Sequence, residues 1–145
     1  MLKGVPKILP PELLKVLCEM GHGDRLIIGD GNFPAESVSK DAVMIRMDGH
    51  GTCEVLDAIL QLVPLDAYIE HPVKLMQVIP GDPVETPIWD DYREIVKKYD
   101  PRGGKAVGDI PRPEFYKEAP GVYAIIATSE TALYANILLQ KGVVV

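Results

Sequence analysis

Short apolar, β-branched runs alternate along this chain with segments of helical period, and this alternation restricts the fold more than any other feature. Arg25-Leu26-Ile27-Ile28-Gly29 and Val122–Thr128 are too short for buried helices and read as buried strands. Ala42–Arg46, Val73–Ile79 and Ala135–Gln140 read as further strands, with Val143–Val145 as a tail or edge strand. Between them lie helical patterns. Pro10-Pro11 opens one over residues 11–20, with Leu13, Leu14, Leu17, Cys18 and Met20 at helical spacing and Gly21 as its stop. Thr52 is placed to cap a second helix running through Val55, Leu56, Ile59, Leu60 and Val63. Pro87–Tyr99 has Ile88, Tyr92, Ile95 and Val96 on one face, and Glu114–Glu118 is a short fourth helix. Residues 100–112 carry Pro, Gly and mixed charge and read as a long loop. Strands alternating with helices predict an α/β layered domain, its sheet covered by helices.

At 145 residues the chain suits one domain, residues 1–145, with a real hydrophobic core. Its formal net charge of −6, with no basic cluster beyond Lys97-Lys98, argues against a nucleic-acid partner. No apolar run approaches the roughly 20 residues of a membrane helix, and no secretory leader pattern opens the sequence. Cys18 and Cys53 lie in apolar segments without metal-ligand spacing and read as two buried free thiols of a reducing compartment. The expectation is a cytoplasmic protein free of membranes.

No dinucleotide-binding, phosphate-loop, nucleophile-elbow or zinc-protease motif is present. Polar residues at strand ends remain, where open α/β sheets bind ligands. His22 stands between two glycines in the turn from the first helix to the first strand. Imidazole is the side chain that exchanges protons near neutral pH, although a loop histidine also serves as a hydrogen-bonding spacer. Asp30, just past the first strand, suits a sugar hydroxyl, an imidazole or an Asx turn. Tyr134 and Asn136 flank a late strand and suit stacking and hydroxyl binding, or plain packing. His50 and His71 read as turn and connection residues. His22, Asp24 and Asp30 lack a tight ligand repeat, so no metal and no organic cofactor is expected.

The same residues carry a family resemblance. Leu13–Asp24, with Gly21-His22-Gly23-Asp24 at its end, and Asp30-Gly31-Asn32-Phe33-Pro34-Ala35 resemble the fucose mutarotase and ribose pyranase family. Phe115-Tyr116 and Tyr134–Gly142 match its later motifs, and Arg46-Met47-Asp48-Gly49 resembles the fucose branch. The resemblance spans nearly the whole chain and is weakest over residues 68–110. It implies a three-layer α/β/α fold with a mixed sheet. It implies a ring-like homo-oligomer, a decamer, with sites near subunit contacts. It also implies an isomerase that interconverts the anomers of a free monosaccharide, L-fucose first, by acid–base ring opening. His22 would be the catalytic acid, and Asp30, Tyr134 and Asn136 would bind sugar. Arg112 aligns best with a basic residue ahead of the Phe-Tyr pair, with Arg102 as competitor. The rival readings are a D-ribose pyranase and a sugar-binding module without catalysis, which would need no titrating His22.

Overall fold

The computed structural model describes residues 1–145. In chain order the strands are β1 (Arg25–Gly29), β2 (Val43–Met47), β3 (Val73–Met76), β4 (Val107–Ile110), β5 (Ala124–Thr128) and β6 (Ile137–Gln140). The helices are α1 (Pro11–Glu19), α2 (Ala35–Val38), α3 (Thr52–Leu60), α4 (Ile88–Tyr99) and α5 (Arg112–Glu118). The strands form one sheet in the order β2-β5-β1-β6-β3-β4. β6 is antiparallel to both neighbours, and every other pairing is parallel. Five strands therefore point one way, and β6 alone returns between β1 and β3.

The period-two alternation of β1 divides the core into two layers. Leu26 and Ile28 face one cluster, which holds the buried sides of α1, α3 and α4. Ile27 faces the other, with Ala35 of α2 and Phe115 of α5. The result is the three-layer α/β/α arrangement with a mixed sheet. β1 and β5 are covered on both faces, which is why they read as unbroken apolar runs.

Several local expectations are corrected. Residues 100–112 are not a long loop: Gly103–Ala106 forms a 3₁₀ turn and β4 follows it. β4 pairs only with β3, so its stability as a strand comes from that neighbour rather than from its own sequence. The run 73–79 leaves the sheet at Met76. Pro34 leads into the unforeseen short α2. Thr52 is the first residue of α3 rather than its cap, and Glu54 instead accepts from the Gly51 N–H at 3.0 Å. Cys18 is exposed, because α1 buries Leu13, Val16 and Leu17 and turns position 18 outward. Ile137–Leu139 is fully covered within the sheet, whereas Val143–Val145 is an exposed tail and not a strand.

The turn joining α1 to β1 is tightly specified. Gly23 adopts φ +84°, open to glycine without steric cost. The Asp24 carboxylate accepts from the Gly21 N–H at 2.7 Å, and the Lys141 ammonium donates to the carbonyls of Leu17 and Met20. The lysine bonds satisfy carbonyls that the end of α1 would otherwise leave unpaired, and the aspartate holds the turn through an N–H.

Candidate functional site

The carboxyl ends of the five parallel strands and the entry to the reversed β6 meet at one edge of the sheet. A cavity of about 260 Å³ opens there, lined by Asp30, Asn136, Tyr134 and Arg112 together with Phe33, Tyr116, Met76 and Asp82. It is smaller than the roughly 300–1,000 Å³ typical of pockets for drug-sized ligands. A larger groove of about 610 Å³ beside it shares Arg112 and Tyr116.

Asp30 extends β1 by one residue into this cavity and is only 6% exposed. Its backbone N–H donates to Asn136 Oδ1 at 2.8 Å, a bond that ties the end of β1 to the start of β6. Its carboxylate accepts from Asn32 N–H at 3.0 Å and Ala135 N–H at 3.3 Å. Burial pushes the Asp30 carboxyl above the ordinary aspartate range, and the bonds from Asn32, Ala135, Phe33 and Asn136 offset only part of that. One oxygen holds the Asn32 turn, and the carboxylate also lines the cavity. With Oδ1 of Asn136 engaged by the Asp30 N–H, its amide nitrogen faces the Asp30 carboxyl and lies 4.0 Å from the Met76 sulfur.

Tyr134 is held in an unusual backbone conformation, φ +54°, the one non-glycine residue with positive φ. Such a residue costs on the order of 1–3 kcal/mol and persists where its surroundings over-determine it. Here the Trp89 indole donates to its carbonyl at 2.8 Å, and its own hydroxyl donates to Asp82 Oδ2 at 2.8 Å. On the opposite wall the Arg112 guanidinium lies 5.6 Å from the Tyr116 ring centroid. Tyr116 in turn stacks on Phe33 with centroids 5.9 Å apart and planes within 2°. Gly29 makes this wall possible, since a Cβ there would come within 2.9 Å of the Phe33 ring.

His22 is not in this cavity. It stands before β1, whereas Asp30 stands after it. A strand rise of about 3.3 Å per residue puts them on the order of 20 Å apart, at opposite edges of the sheet. At the amino edge, His22 Nε2 lies 3.2 Å from Asp66 Oδ1, and the imidazole side chain remains 46% exposed. Asp66 is 2% exposed and accepts additionally from Tyr68 N–H and Gln140 Nε2, both at 2.9 Å. Burial alone would raise its carboxyl, but the bonds from Tyr68, Gln140 and His22 outweigh it and hold the group below the ordinary range. Because a carboxylate only accepts, Nε2 carries the bonded hydrogen, and Nδ1 makes no hydrogen bond within the chain. The exposed Tyr68 ring lies against the imidazole at 5.4 Å.

Arg102 belongs to this amino edge and so does not compete with Arg112. Its guanidinium clasps Asp100 through two bonds, of 3.0 and 2.8 Å, and donates to the carbonyls of Ile69 and Asp66. It thereby fixes the loop that carries Asp66. His50 pairs with Glu54 at 3.0 Å and His71 with the Lys105 carbonyl at 3.1 Å, both apart from the cavity. No three His, Cys, Asp or Glu side chains are grouped so as to hold a metal ion. No helix is long and apolar enough to cross a membrane. The structure brings Asp30, Arg112, Tyr134 and Asn136 to one cavity and separates His22 from them. The sequence reading did not single out Asp66 and Asp82. Asp82 sits in Pro80-Gly81-Asp82-Pro83, where aspartate is indistinguishable from a turn former. Asp66 is a single acid among apolar residues, and only its burial reveals it.

Comparison with known proteins agrees with this architecture. The model of the RbsD / FucU transport protein family matches residues 3–144. A human protein named fucose mutarotase is 46% identical over 148 residues, covering 98% of this chain and 94% of its own. The crystal structure of FucU from Bifidobacterium longum superposes with a TM-score of 0.97 at 59% identity, covering 99% of this chain and all of that one. The fucose mutarotase of Streptococcus pneumoniae, solved in complex with L-fucose, superposes with a TM-score of 0.90 at 44% identity, again covering 99% and 100%. With matches of this extent and identity, the chain belongs to the RbsD / FucU family.

Proposed function

We propose that this protein is an L-fucose mutarotase, an isomerase that interconverts the α and β anomers of the free sugar. The observation that carries the reading is the polar cavity of Asp30, Asn136, Tyr134 and Arg112 in a fold shared with a relative solved with L-fucose. Mutarotation breaks only the ring C–O bond. One group takes the proton of the anomeric hydroxyl as the carbonyl forms, and another protonates the ring oxygen. Rotation about the C1–C2 bond and reclosure on the other carbonyl face give the second anomer. Acid–base help of this kind is worth a factor of about 10² to 10⁴ and requires neither metal nor organic cofactor.

In this mechanism Asp30 and the Asn136 amide hold sugar hydroxyls, Tyr134 and Arg112 close the walls, and His22 is the proton donor through Nδ1. One chain separates His22 from its own cavity by the length of β1, so His22 serves the cavity of a second copy. Contact between the amino edge of one copy and the carboxyl edge of the next is heterologous, and such contacts close into rings when the rotation permits. A ring-like homo-oligomer is therefore part of the proposal, and the family resemblance makes that ring a decamer. Residues 1–145 act as one mutarotase unit. The exposed, unpaired thiol of Cys18 suits a reducing, cytoplasmic setting.

The test is saturation-transfer NMR on L-fucose and D-ribose at equilibrium. Transfer between the L-fucose anomers at substoichiometric protein supports the reading. Binding of L-fucose without any transfer would make the protein a sugar-binding module instead.

A further inference from the structure

We propose that Asp82 is a positioning residue for sugar recognition, acting through Tyr134. This rests on the mutarotase reading above. Tyr134 occupies the left-handed region, where a bulky aromatic residue stays only if several contacts hold it. Its carbonyl is anchored by Trp89 at 2.8 Å, which fixes the backbone but not the ring. The ring is fixed at its far end, where the hydroxyl donates to Asp82 Oδ2 at 2.8 Å.

Asp82 is itself constrained. Its N–H donates to the Ile79 carbonyl at 3.0 Å, and Gly81 at φ +89° lets the chain turn there. Its second oxygen accepts from Val84 N–H at 3.2 Å. Pro80 and Pro83 on either side limit the conformations this turn can sample. Both carboxylate oxygens are thus committed, one to the turn and one to the tyrosine. The carboxylate also sets the direction of the hydrogen bond. A carboxylate only accepts, so the tyrosine must donate to it, and the phenolic oxygen, which also receives a long contact of 3.4 Å from the Ile79 N–H, keeps a second lone pair for a sugar O–H. Asp82 therefore makes Tyr134 an acceptor toward the ligand as well as fixing its place on the cavity wall.

A double-mutant cycle tests this, with exchange rates read across L-fucose concentration. Asp82→Ala should raise the half-saturating sugar concentration about tenfold, with a smaller change in maximal rate. In the Tyr134→Phe background the same substitution should add nothing, because the hydroxyl it orients is gone. Asp82→Asn keeps an accepting oxygen and should recover most of the loss. Equal effects of Asp82→Ala in both backgrounds, or none in either, would overturn the proposal. A second readout needs no sugar. In protein labelled with ¹³Cζ-tyrosine, the resonance that Tyr134→Phe removes should move in Asp82→Ala and move less in Asp82→Asn. An unmoved resonance would also overturn the proposal. If wild-type protein exchanges no anomers, the mutarotase reading fails, while the tyrosine resonance still decides whether Asp82 holds Tyr134.

Discussion

The carboxyl and amino edges of the sheet both carry buried carboxylates, yet the two edges are organised in opposite ways. At the carboxyl edge, Asp30 is buried with its carboxyl pushed up, the Asn136 amide lies beside it at the cavity wall, and Tyr134 sits in a strained backbone. At the amino edge, Asp66 and Asp100 are buried, multiply bonded carboxylates held below the ordinary range. One edge has spare hydrogen-bonding capacity around a cavity. The other uses nearly all of its capacity to orient a single half-exposed imidazole. The proposed mechanism, which binds a polyol at one edge and moves a proton from the other, needs both, and β1 keeps them apart within one chain.

The largest expected effect follows from the uncommitted Nδ1 of that imidazole. His22→Asn should lower anomer exchange by about 10² or more while L-fucose binding, read from ligand NMR line widths, stays near wild type. Exchange at near wild-type speed would make His22 a spacer in the α1–β1 turn.

Next is its buried partner. Asp66→Ala strands the Tyr68 N–H, the Gln140 amide and the His22 ring, and should cost on the order of 2–4 kcal/mol of stability. For a chain of this size that lowers Tm by roughly 5–15 °C. The more conservative Asp66→Asn should fold and still slow exchange about tenfold by loosening the ring. A Tm unchanged by Asp66→Ala would show that the amino edge is not the rigid one.

Acid should affect the two edges with opposite signs. The Asp66 carboxyl is depressed in the folded state, so its stabilisation is present above the unfolded-state value near 3.9 and is lost as pH falls through the lower folded value. The Asp30 carboxyl is raised, so its contribution is present below the unfolded-state value and is lost as pH rises through the raised one. Thermal melts between pH 3 and pH 7 should show the Asp66→Asn deficit shrinking toward acid and the Asp30→Asn difference moving the other way. Parallel pH profiles would remove the electrostatic half of the contrast.

The smallest effect belongs to Arg46→Ala. Its bonds to Asp48, at 3.0 and 2.8 Å, join two exposed side chains outside the main cavity. Such surface pairs contribute little, so neither Tm nor exchange should change measurably.

Much of this was legible in the residues. β1, β5 and β6 announced themselves because strands covered on both faces read as continuous apolar runs. β4 did not, because Val107-Gly108-Asp109-Ile110 is held as a strand by β3 and has no pattern of its own. Four of the five candidate site residues converge because they sit at strand ends of one edge. The fifth does not, and the spacing contains the reason: a complete strand separates His22 from Asp30, so one chain cannot bring them to the same sugar. Asp66 and Asp82 stayed hidden because a carboxylate's role depends on what is folded around it.

Mixing two inactive variants tests the central claim, that one copy's His22 serves another copy's cavity. His22→Asn and Asp30→Asn protein should each be nearly inactive. Unfolded together in equal amounts and refolded, they should regain activity in about a quarter of the sites, those that draw an intact His22 from one copy and an intact Asp30 from its neighbour. Saturation-transfer NMR on L-fucose reads this directly. A refolded mixture as inactive as either variant alone, or wild-type protein that remains fully active as a monomer, would contradict the account.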